Sequence, residues 1–334
     1  MSETRELWQD KSTTLHGQSG GKCRDGAVEL YRVALMYGIC LLHTVNFGGY
    51  QKWWLANVLY TCVVGFVFIS GWFGIRFSWM KLVKLYGIGC YCAVVSNSAT
   101  IFTEGIVGFK VIVSTIHNYW FLHAYAVLMI LAPYVNAVIE RLPVFSRRNW
   151  REYAVMLPLL ALIWIWGFGL TLPYGRDLLP RTPGLDAYGG LTLLGIYTAA
   201  RAIRISGIAE RVRGVHLPVC LAALLVLTGI GLNDYNSPFA LALAFILFLM
   251  CRRIHVPSWI GRAMLWCGPS MFSIYLIHNT SSGFGLIGSL GKYFVEDCRM
   301  SVFVMYPLVA LIVFCLAFAL DIPRRMFLSF HHRG

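Results

Sequence analysis

Long apolar runs joined by short polar connections occupy almost the whole chain, and they constrain its fold more than any other feature. Of the 334 residues, 58% are hydrophobic and 13% are charged, a composition typical of a chain solvated by lipid. Since a helix needs about 20 apolar residues to cross a bilayer, the sequence predicts about ten membrane-spanning helices. Their predicted limits are 29 to 47, 53 to 75, 82 to 101, 119 to 139, 153 to 170, 186 to 200, 215 to 232, 237 to 251, 263 to 281 and 301 to 321. The predicted fold class is therefore all-α, a polytopic integral membrane protein.

The basic residues are distributed unevenly between alternate connections. The net charge is +13, but the charges lie in short patches between apolar runs, so we expect no nucleic-acid partner. If the polar N-terminal segment is cytosolic, all but six of the 28 Lys and Arg residues lie on the cytosolic side. That bias predicts that both termini are cytoplasmic. The six residues on the outer side are Lys52, Lys110, Arg176, Arg181, Lys292 and Arg299.

Two ionisable residues, Arg32 and His43, lie inside the first apolar run, where such side chains are costly. Eleven positions make almost three helical turns, so both side chains leave one face, about 16 Å apart along the axis. Arg32 could instead extend to the inner interface or pair with Glu29, and His43 could simply link two helices by a hydrogen bond. Neither alternative explains why they share a face.

Further polar groups reach the predicted depth of His43. His278 and Tyr275 lie on one stripe of the ninth predicted span, and His117 and His123 lie at the start of the fourth. Each could be an interfacial or hydrogen-bonded residue of no catalytic importance. No span carries a His-x3-His or His-Glu pair, so we expect no metal site.

A basic group follows the second predicted span. Arg76, Lys81 and Lys84 lie on the cytosolic side, and the two lysines are three residues apart at a helix start. Membrane topology alone accounts for such charges, whereas phosphate binding is the more specific alternative. The small residues Ser70 and Gly71 just before them favour close helix packing.

At these residues the sequence resembles the acyltransferase-3 family, multi-spanning membrane enzymes that modify cell-surface glycans with acyl groups from coenzyme A. The family's first span carries a basic residue, ten residues and a histidine, which Arg32 and His43 match. Three further segments are similar to family motifs: Phe66-Val-Phe-Ile-Ser70-Gly71, Tyr119-Trp120-Phe121-Leu122 with Pro133, and Ser273-Ile-Tyr275-Leu-Ile-His278. Between the first and the second of these, Lys81-Leu-Val-Lys84 stands where the family usually has Arg-x-x-Arg. The lysines keep the charge but lose the bidentate fork of arginine.

The resemblance implies a domain organisation and an activity. It implies a cytosolic tail over 1–28, one acyltransferase-like transmembrane domain over 29–323 and a short basic tail over 324–334. It also implies transfer of an acyl group, most often acetyl, from cytosolic acyl-CoA to a hydroxyl of a cell-surface or lipid-linked glycan. Acyl-CoA is then a donor substrate, and no permanently bound cofactor is expected. The expected location is the bacterial cytoplasmic membrane.

We assign expected roles on this basis. His43 is the general base and Arg32 acts on the donor, while Arg76, Lys81 and Lys84 bind the CoA phosphates. The expected acceptor-binding residues are Trp120, Tyr125, Tyr275 and His278. A covalent relay through Ser70 or Cys40 remains a rival route. A transporter or flippase for a polysaccharide or anionic substrate, and a membrane scaffold, remain rival functions.

Several properties stay open at this level. The acyl chain, the acceptor glycan and the oxyanion donor have no signature in the residues. A homo-oligomer is compatible with the sequence, because lipid-facing and partner-facing surfaces are both apolar.

Overall fold

The computed structural model describes residues 25–98, 106–141, 190–212, 216–229 and 238–331, and in these ranges the chain is helical, with no β-strand. The predicted span 153–170 and residues 1–24 of the predicted tail lie outside the described residues. The helices are α1 (Gly26–Phe47), α2 (Trp53–Phe73), α3 (Trp79–Ser96), α4 (Ile106–His117), α5 (Trp120–Arg141), α6 (Gly190–Ile205), α7 (Ile208–Arg211), α8 (Leu217–Gly229), α9 (Pro238–Arg253), α10 (Ser258–Cys267), α11 (Met271–His278), α12 (Ser281–Lys292) and α13 (Val302–His331).

Four of these helices are long and apolar enough to cross a membrane. They are α1, α2, α5 and the part of α13 that runs over Val302–Phe327. They coincide with the predicted spans 29–47, 53–75, 119–139 and 301–321. The predicted fold class, an all-helical membrane protein, is therefore confirmed.

Helix α1 packs against α2, α9, α10, α11, α12 and α13, and it carries both ionisable residues of the first span. The helix begins where the Asp25 side chain accepts a hydrogen bond from the Ala27 amide, 2.9 Å away. Its contact with α2 depends on glycine, because a Cβ on Gly65 would lie 2.7 Å from the Leu35 side chain. The short connection at 48–52 makes the two helices antiparallel. The first turns of α1 therefore lie beside the last turns of α2.

The predicted ninth span, 263–281, is not one continuous helix, and this prediction was wrong in that respect. The chain forms α10, then a 3₁₀ turn over Gly268–Ser270, then α11. Pro269 lacks the amide that an α-helix needs there. Gly268 lies so close to Glu29 of α1 that a Cβ would overlap the carboxylate. The 3₁₀ turn therefore lies against Glu29 of α1, and α11 begins directly after it.

Helix α13 continues past the predicted end of its span, through Arg324 and Arg325 of the segment assigned to the basic tail. Arg324 forms a bidentate ion pair with the fully buried Asp321, at 2.6 Å and 2.9 Å. The Arg325 guanidinium lies over the Trp266 ring, 4.7 Å from its centroid. The first contact is made within α13, and the second joins α13 to α10.

Candidate active site

The site centres on two histidines that α1 and α11 bring together. The rings of His43 and His278 lie 4.9 Å apart between centroids. His278 is buried, and its Nδ1 lies 2.5 Å from the carbonyl oxygen of Ile274, one turn earlier. A carbonyl oxygen only accepts, so Nδ1 carries the hydrogen and Nε2 keeps its lone pair when the ring is neutral.

Both rings keep a buried nitrogen that has no hydrogen-bond partner among the residues that the structure describes. In His43 this atom is Nδ1, and in His278 it is Nε2. Buried polar atoms in folded proteins nearly always have a hydrogen-bond partner, so two such nitrogens on adjacent rings are unusual. The arrangement is suited to a ligand that supplies hydrogen-bonding groups.

Aromatic side chains cover the histidine pair. Phe47 and Phe284 stack with their ring centroids 4.1 Å apart. The Phe284 centroid lies 5.4 Å from that of His43. Tyr275, on the stripe predicted from the sequence, lies 6.4 Å from His43 and accepts a hydrogen bond from the Asn279 amide at 3.1 Å. These apolar surfaces limit the access of water to the histidines.

Arg32 lies at the other end of the same face, about 16 Å from His43 along α1. It forms a 2.6 Å ion pair with Glu29, so the alternative considered from the sequence is a real contact. Glu29 is buried, while about a third of the Arg32 side chain is exposed. The second carboxylate oxygen of Glu29, Oε2, is buried beside Gly268 and has no hydrogen-bond partner in the described part of the chain. Arg32 is therefore held by a buried anion while part of its side chain remains accessible.

A row of aromatic rings runs from Tyr125, which contacts Ser70, to His278. Tyr125 and Phe121 stack 5.9 Å apart, and Phe121 meets Tyr275 at 5.5 Å. Tyr275 in turn meets His278 at 6.0 Å. Tyr125, Tyr275 and His278 therefore belong to one continuous group, and Trp120 joins it through an edge contact with Phe121 at 5.5 Å.

The Ser70 hydroxyl is part of this group, but no basic side chain among the described residues contacts it. It lies 3.1 Å from the Phe66 carbonyl oxygen, which can only accept. The hydroxyl hydrogen therefore goes to that carbonyl, and the Tyr125 hydroxyl, 3.3 Å away, donates to the Ser70 oxygen. This geometry does not favour Ser70 as a nucleophile.

The basic residues predicted to bind the donor lie apart from the histidines. Arg76 precedes α3, and Lys81 and Lys84 lie in its first turns, all three exposed. The Lys81 ammonium donates to the Arg76 carbonyl oxygen at 2.9 Å. Since α1 and α2 are antiparallel, these residues lie towards the Arg32 end of α1 rather than the His43 end.

His117 and His123 do not join the histidine pair. His123 makes two hydrogen bonds of its own, from Nε2 to the Ile116 carbonyl oxygen at 3.0 Å and between Nδ1 and the Tyr86 hydroxyl at 3.1 Å. His117 is exposed. Within the described ranges, no group of three or more His, Cys, Asp or Glu side chains could hold a metal ion.

Comparison with known proteins decides which class of protein this site belongs to. The family model described as an acyltransferase domain matches residues 25–322, nearly the whole chain. The chain belongs to the acyltransferase-3 family. It is therefore a membrane acyltransferase, and the resemblance found in the sequence motifs is confirmed. No curated protein and no solved structure matches the chain.

The site of this acyltransferase-3 protein includes residues that sequence reasoning missed. Phe284 covers His43 from α12, and Gly268 makes room for Glu29. Phe47, four residues after His43 and thus on its face of α1, was the one available signal for the aromatic cover. Phe284 and Gly268 lie more than 200 positions from their partners, and no local pattern links them.

Proposed function

We propose that the protein moves an acyl group, acetyl in the first instance, from cytosolic acyl-CoA to a hydroxyl of a cell-surface or lipid-linked glycan. The observation that carries the proposal is the pair of adjacent imidazoles, each with an unpartnered buried nitrogen, about 16 Å from Arg32 on one helix face. His43 can act as a base at one depth of the membrane, and Arg32 supplies a positive charge at another. This separation suits a long donor, such as acyl-CoA, that enters from the Arg32 side.

The proposed topology has about ten spans and places both termini in the cytosol, with a tail over 1–28 and a basic tail over 324–334. Arg76, Lys81 and Lys84, which lie towards the Arg32 end of α1, are then on the cytosolic side, where acyl-CoA is present. His43 lies in the outer half of the membrane, where the glycan is presented. The proposed location is the bacterial cytoplasmic membrane, with membrane lipids around the helices and a homo-oligomer as one available assembly.

In the proposed reaction, Arg76, Lys81 and Lys84 bind the CoA phosphates, and the pantetheine arm passes Arg32 towards His43. His43 takes the proton of the glycan hydroxyl as its oxygen attacks the thioester carbonyl. The carbon–sulfur bond then breaks, an ester forms, and the CoA thiolate takes the proton back from the imidazolium. No covalent acyl-enzyme is required.

The acceptor site is proposed around His278 and the aromatic row. The Nε2 atom of His278 can accept a hydrogen bond from a second sugar hydroxyl. Tyr275, Tyr125 and Trp120 offer ring faces and edges to the apolar side of a sugar. This assignment draws its support from the continuous ring contacts between Tyr125 and His278.

The rival function is a transporter or flippase, which also needs buried charges among many helices. Family membership favours the enzyme, because the matched domain is an acyltransferase domain. The two functions differ in a measurable product. An acyltransferase consumes acyl-CoA in proportion to the acceptor, whereas a transporter moves substrate without releasing CoA.

The test is release of CoA from radiolabelled acetyl-CoA by the purified full-length protein in liposomes, with and without a host glycan extract. His43→Ala is expected to abolish acceptor-dependent release while donor binding remains. Arg32→Ala is expected to weaken donor binding instead. The matched control is His117→Ala, because His117 is exposed and apart from the pair.

Equal loss of donor binding in His43→Ala and Arg32→Ala would contradict this division of roles. Absence of release with acetyl-CoA, succinyl-CoA or longer donors, from folded wild-type protein, would favour the transporter.

A further inference from the structure

The turn between α2 and α3 is fixed by side chains from two other helices. The Ile75 amide donates to the Tyr197 hydroxyl at 2.9 Å, and that hydroxyl donates to the Asn136 amide oxygen at 2.8 Å. The Asn136 nitrogen in turn donates to the Ile75 carbonyl oxygen at 3.1 Å. The three bonds form a closed ring, so α5 and α6 hold both backbone polar groups of the residue that precedes Arg76.

A partly buried arginine, Arg201, packs against the same turn. Gly74 has a φ of +77°, and a Cβ there would lie 3.1 Å from an Arg201 guanidinium nitrogen. Arg201 pairs with Glu140, yet its Nε atom is buried and finds no partner within the described ranges. The turn therefore requires glycine for two reasons, its backbone conformation and the close approach of this guanidinium.

A second arginine lies one helical turn further along α6. Arg204 donates to the Trp72 carbonyl oxygen at 2.6 Å, and its guanidinium lies 5.6 Å from the Phe73 ring centroid. Its acceptor is a carbonyl oxygen rather than a carboxylate, so this bond leaves the positive charge uncompensated. Arg204 is exposed, and Arg201 and Arg252 are close enough to act on it electrostatically with the same sign.

Like charges held this close are unfavourable unless an anion shares them. Glu140 offsets the charge of Arg201, while the Arg204 guanidinium is held by the Trp72 carbonyl oxygen and the Phe73 ring, neither of which carries a negative charge. A guanidinium presents forked N–H groups that match the oxygens of a phosphate. The exposed aromatic ring of Phe73 beside Arg204 adds a flat apolar surface.

We propose that Arg201 and Arg204, with Arg76 on the fixed turn, form a binding site for the phosphates at the nucleotide end of the acyl-CoA donor. Asn136 and Tyr197 are positioning residues, because they hold the turn without needing to contact the donor. The proposal rests on the proposed function and extends it to residues of α5 and α6. A lipid headgroup phosphate has the same chemistry, so the test must separate the two sources.

The experiment measures equilibrium binding of CoA and of pantetheine, which lacks the phosphates, to the full-length protein in nanodiscs of phosphatidylcholine. Arg204→Gln is expected to weaken CoA binding about 10- to 100-fold, since one charge-assisted hydrogen bond is lost, and to leave pantetheine binding unchanged. The matched control is Lys110→Gln, which removes an exposed charge from α4. It is expected to change neither affinity.

The positioning role has its own readout. Tyr197→Phe removes two of the three bonds that fix the turn. We expect it to raise the KM for acetyl-CoA about tenfold and leave kcat unchanged, whereas general loss of folded protein would lower kcat in proportion.

Three outcomes would overturn the inference. The first is CoA affinity in Arg204→Gln equal to that of Lys110→Gln, and the second is equal weakening of CoA and pantetheine. The third is an unchanged CoA affinity together with weaker binding of phosphatidylglycerol, measured in a second set of nanodiscs that contain this lipid, which would assign the site to a lipid headgroup. Failure of the wild-type protein to bind CoA at all would instead count against the proposed function.

Discussion

Replacing Gly268 by alanine tests whether the buried carboxylate of Glu29 positions Arg32. A Cβ at Gly268 would overlap Oε2 of Glu29 and lie 3.2 Å from its Cδ. Ordinary contact needs about 3.5 to 4 Å between such atoms, so the carboxylate must retreat by about 1 Å. Glu29 is buried at the start of α1 and has little room to move without lengthening its 2.6 Å bond to Arg32.

The size of the effect follows from that bond. A hydrogen bond between charged partners contributes about 1.5 to 3 kcal/mol. Because Arg32 is partly exposed to solvent, which screens the charges, the Arg32–Glu29 bond lies towards the lower figure. If Arg32 orients the donor, losing its position is expected to weaken acyl-CoA binding by about 10- to 30-fold. The measurement is equilibrium binding of acetyl-CoA to the full-length protein in nanodiscs.

The control is the same substitution at Gly87, a helical residue of α3 around which a Cβ meets nothing within 4 Å. Gly87→Ala is expected to leave donor binding unchanged and to stabilise the helix by about 0.5 to 1 kcal/mol. Donor affinity in Gly268→Ala within twofold of that in Gly87→Ala would refute the reasoning.

A double variant isolates the contact itself. Glu29→Asp shortens the side chain by one methylene, about 1.5 Å, and so relieves the overlap that Gly268→Ala creates. The double variant is expected to bind the donor more tightly than the sum of the two single effects predicts, by about 1 kcal/mol. Strict additivity would mean that the two residues do not act on donor binding through their contact.

Three more predictions concern residues outside the proposed reaction. Asp321→Ala leaves the Arg324 guanidinium without its buried partner and is expected to cost about 3 to 5 kcal/mol in free energy of unfolding, measured by denaturation in mixed micelles. Ser70→Ala is expected to retain acetyl transfer within about tenfold, because the Ser70 hydroxyl contacts no base; trapping a labelled acyl group on Ser70 would contradict this. Thr280→Ala removes the side-chain bond from the Gly283 amide at the start of α12 and is expected to lower the free energy of unfolding by about 1 kcal/mol, measured by the same denaturation; an unchanged free energy of unfolding would contradict this.

Local patterns in the sequence predicted one half of the site well. Arg32 and His43 belong to a single uninterrupted helix, so their spacing alone predicts a shared face. The stripe of Tyr275 and His278 follows in the same way from α11. These predictions depend only on helical periodicity, which survives whatever the neighbouring helices do.

The other half depends on contacts that periodicity does not encode. Asn136 and Tyr197 each form a hydrogen bond with Ile75, which is 61 or more residues away in the sequence. Because Ile75 lies in a turn, no helical periodicity in the sequence indicates which side chains face it. The division of the predicted span 263–281 had a visible signal in Pro269, but an apolar run of membrane length outweighed it. Tyr125 was predicted to stack on a sugar, and its hydroxyl also bonds Ser70.

The hydrogen on Nδ1 of His278 gives this imidazole two chemically different sides. The side that carries the hydrogen faces the Ile274 carbonyl oxygen and also lies 3.9 Å from the sulfur of Cys40. A thiol that meets an N–H finds no lone pair to remove its proton, so Cys40 is insulated from the base beside it. The opposite side keeps the only basic nitrogen of the ring. His278 is thus a one-sided base, and a proton released at the histidine pair can reach this ring only through Nε2.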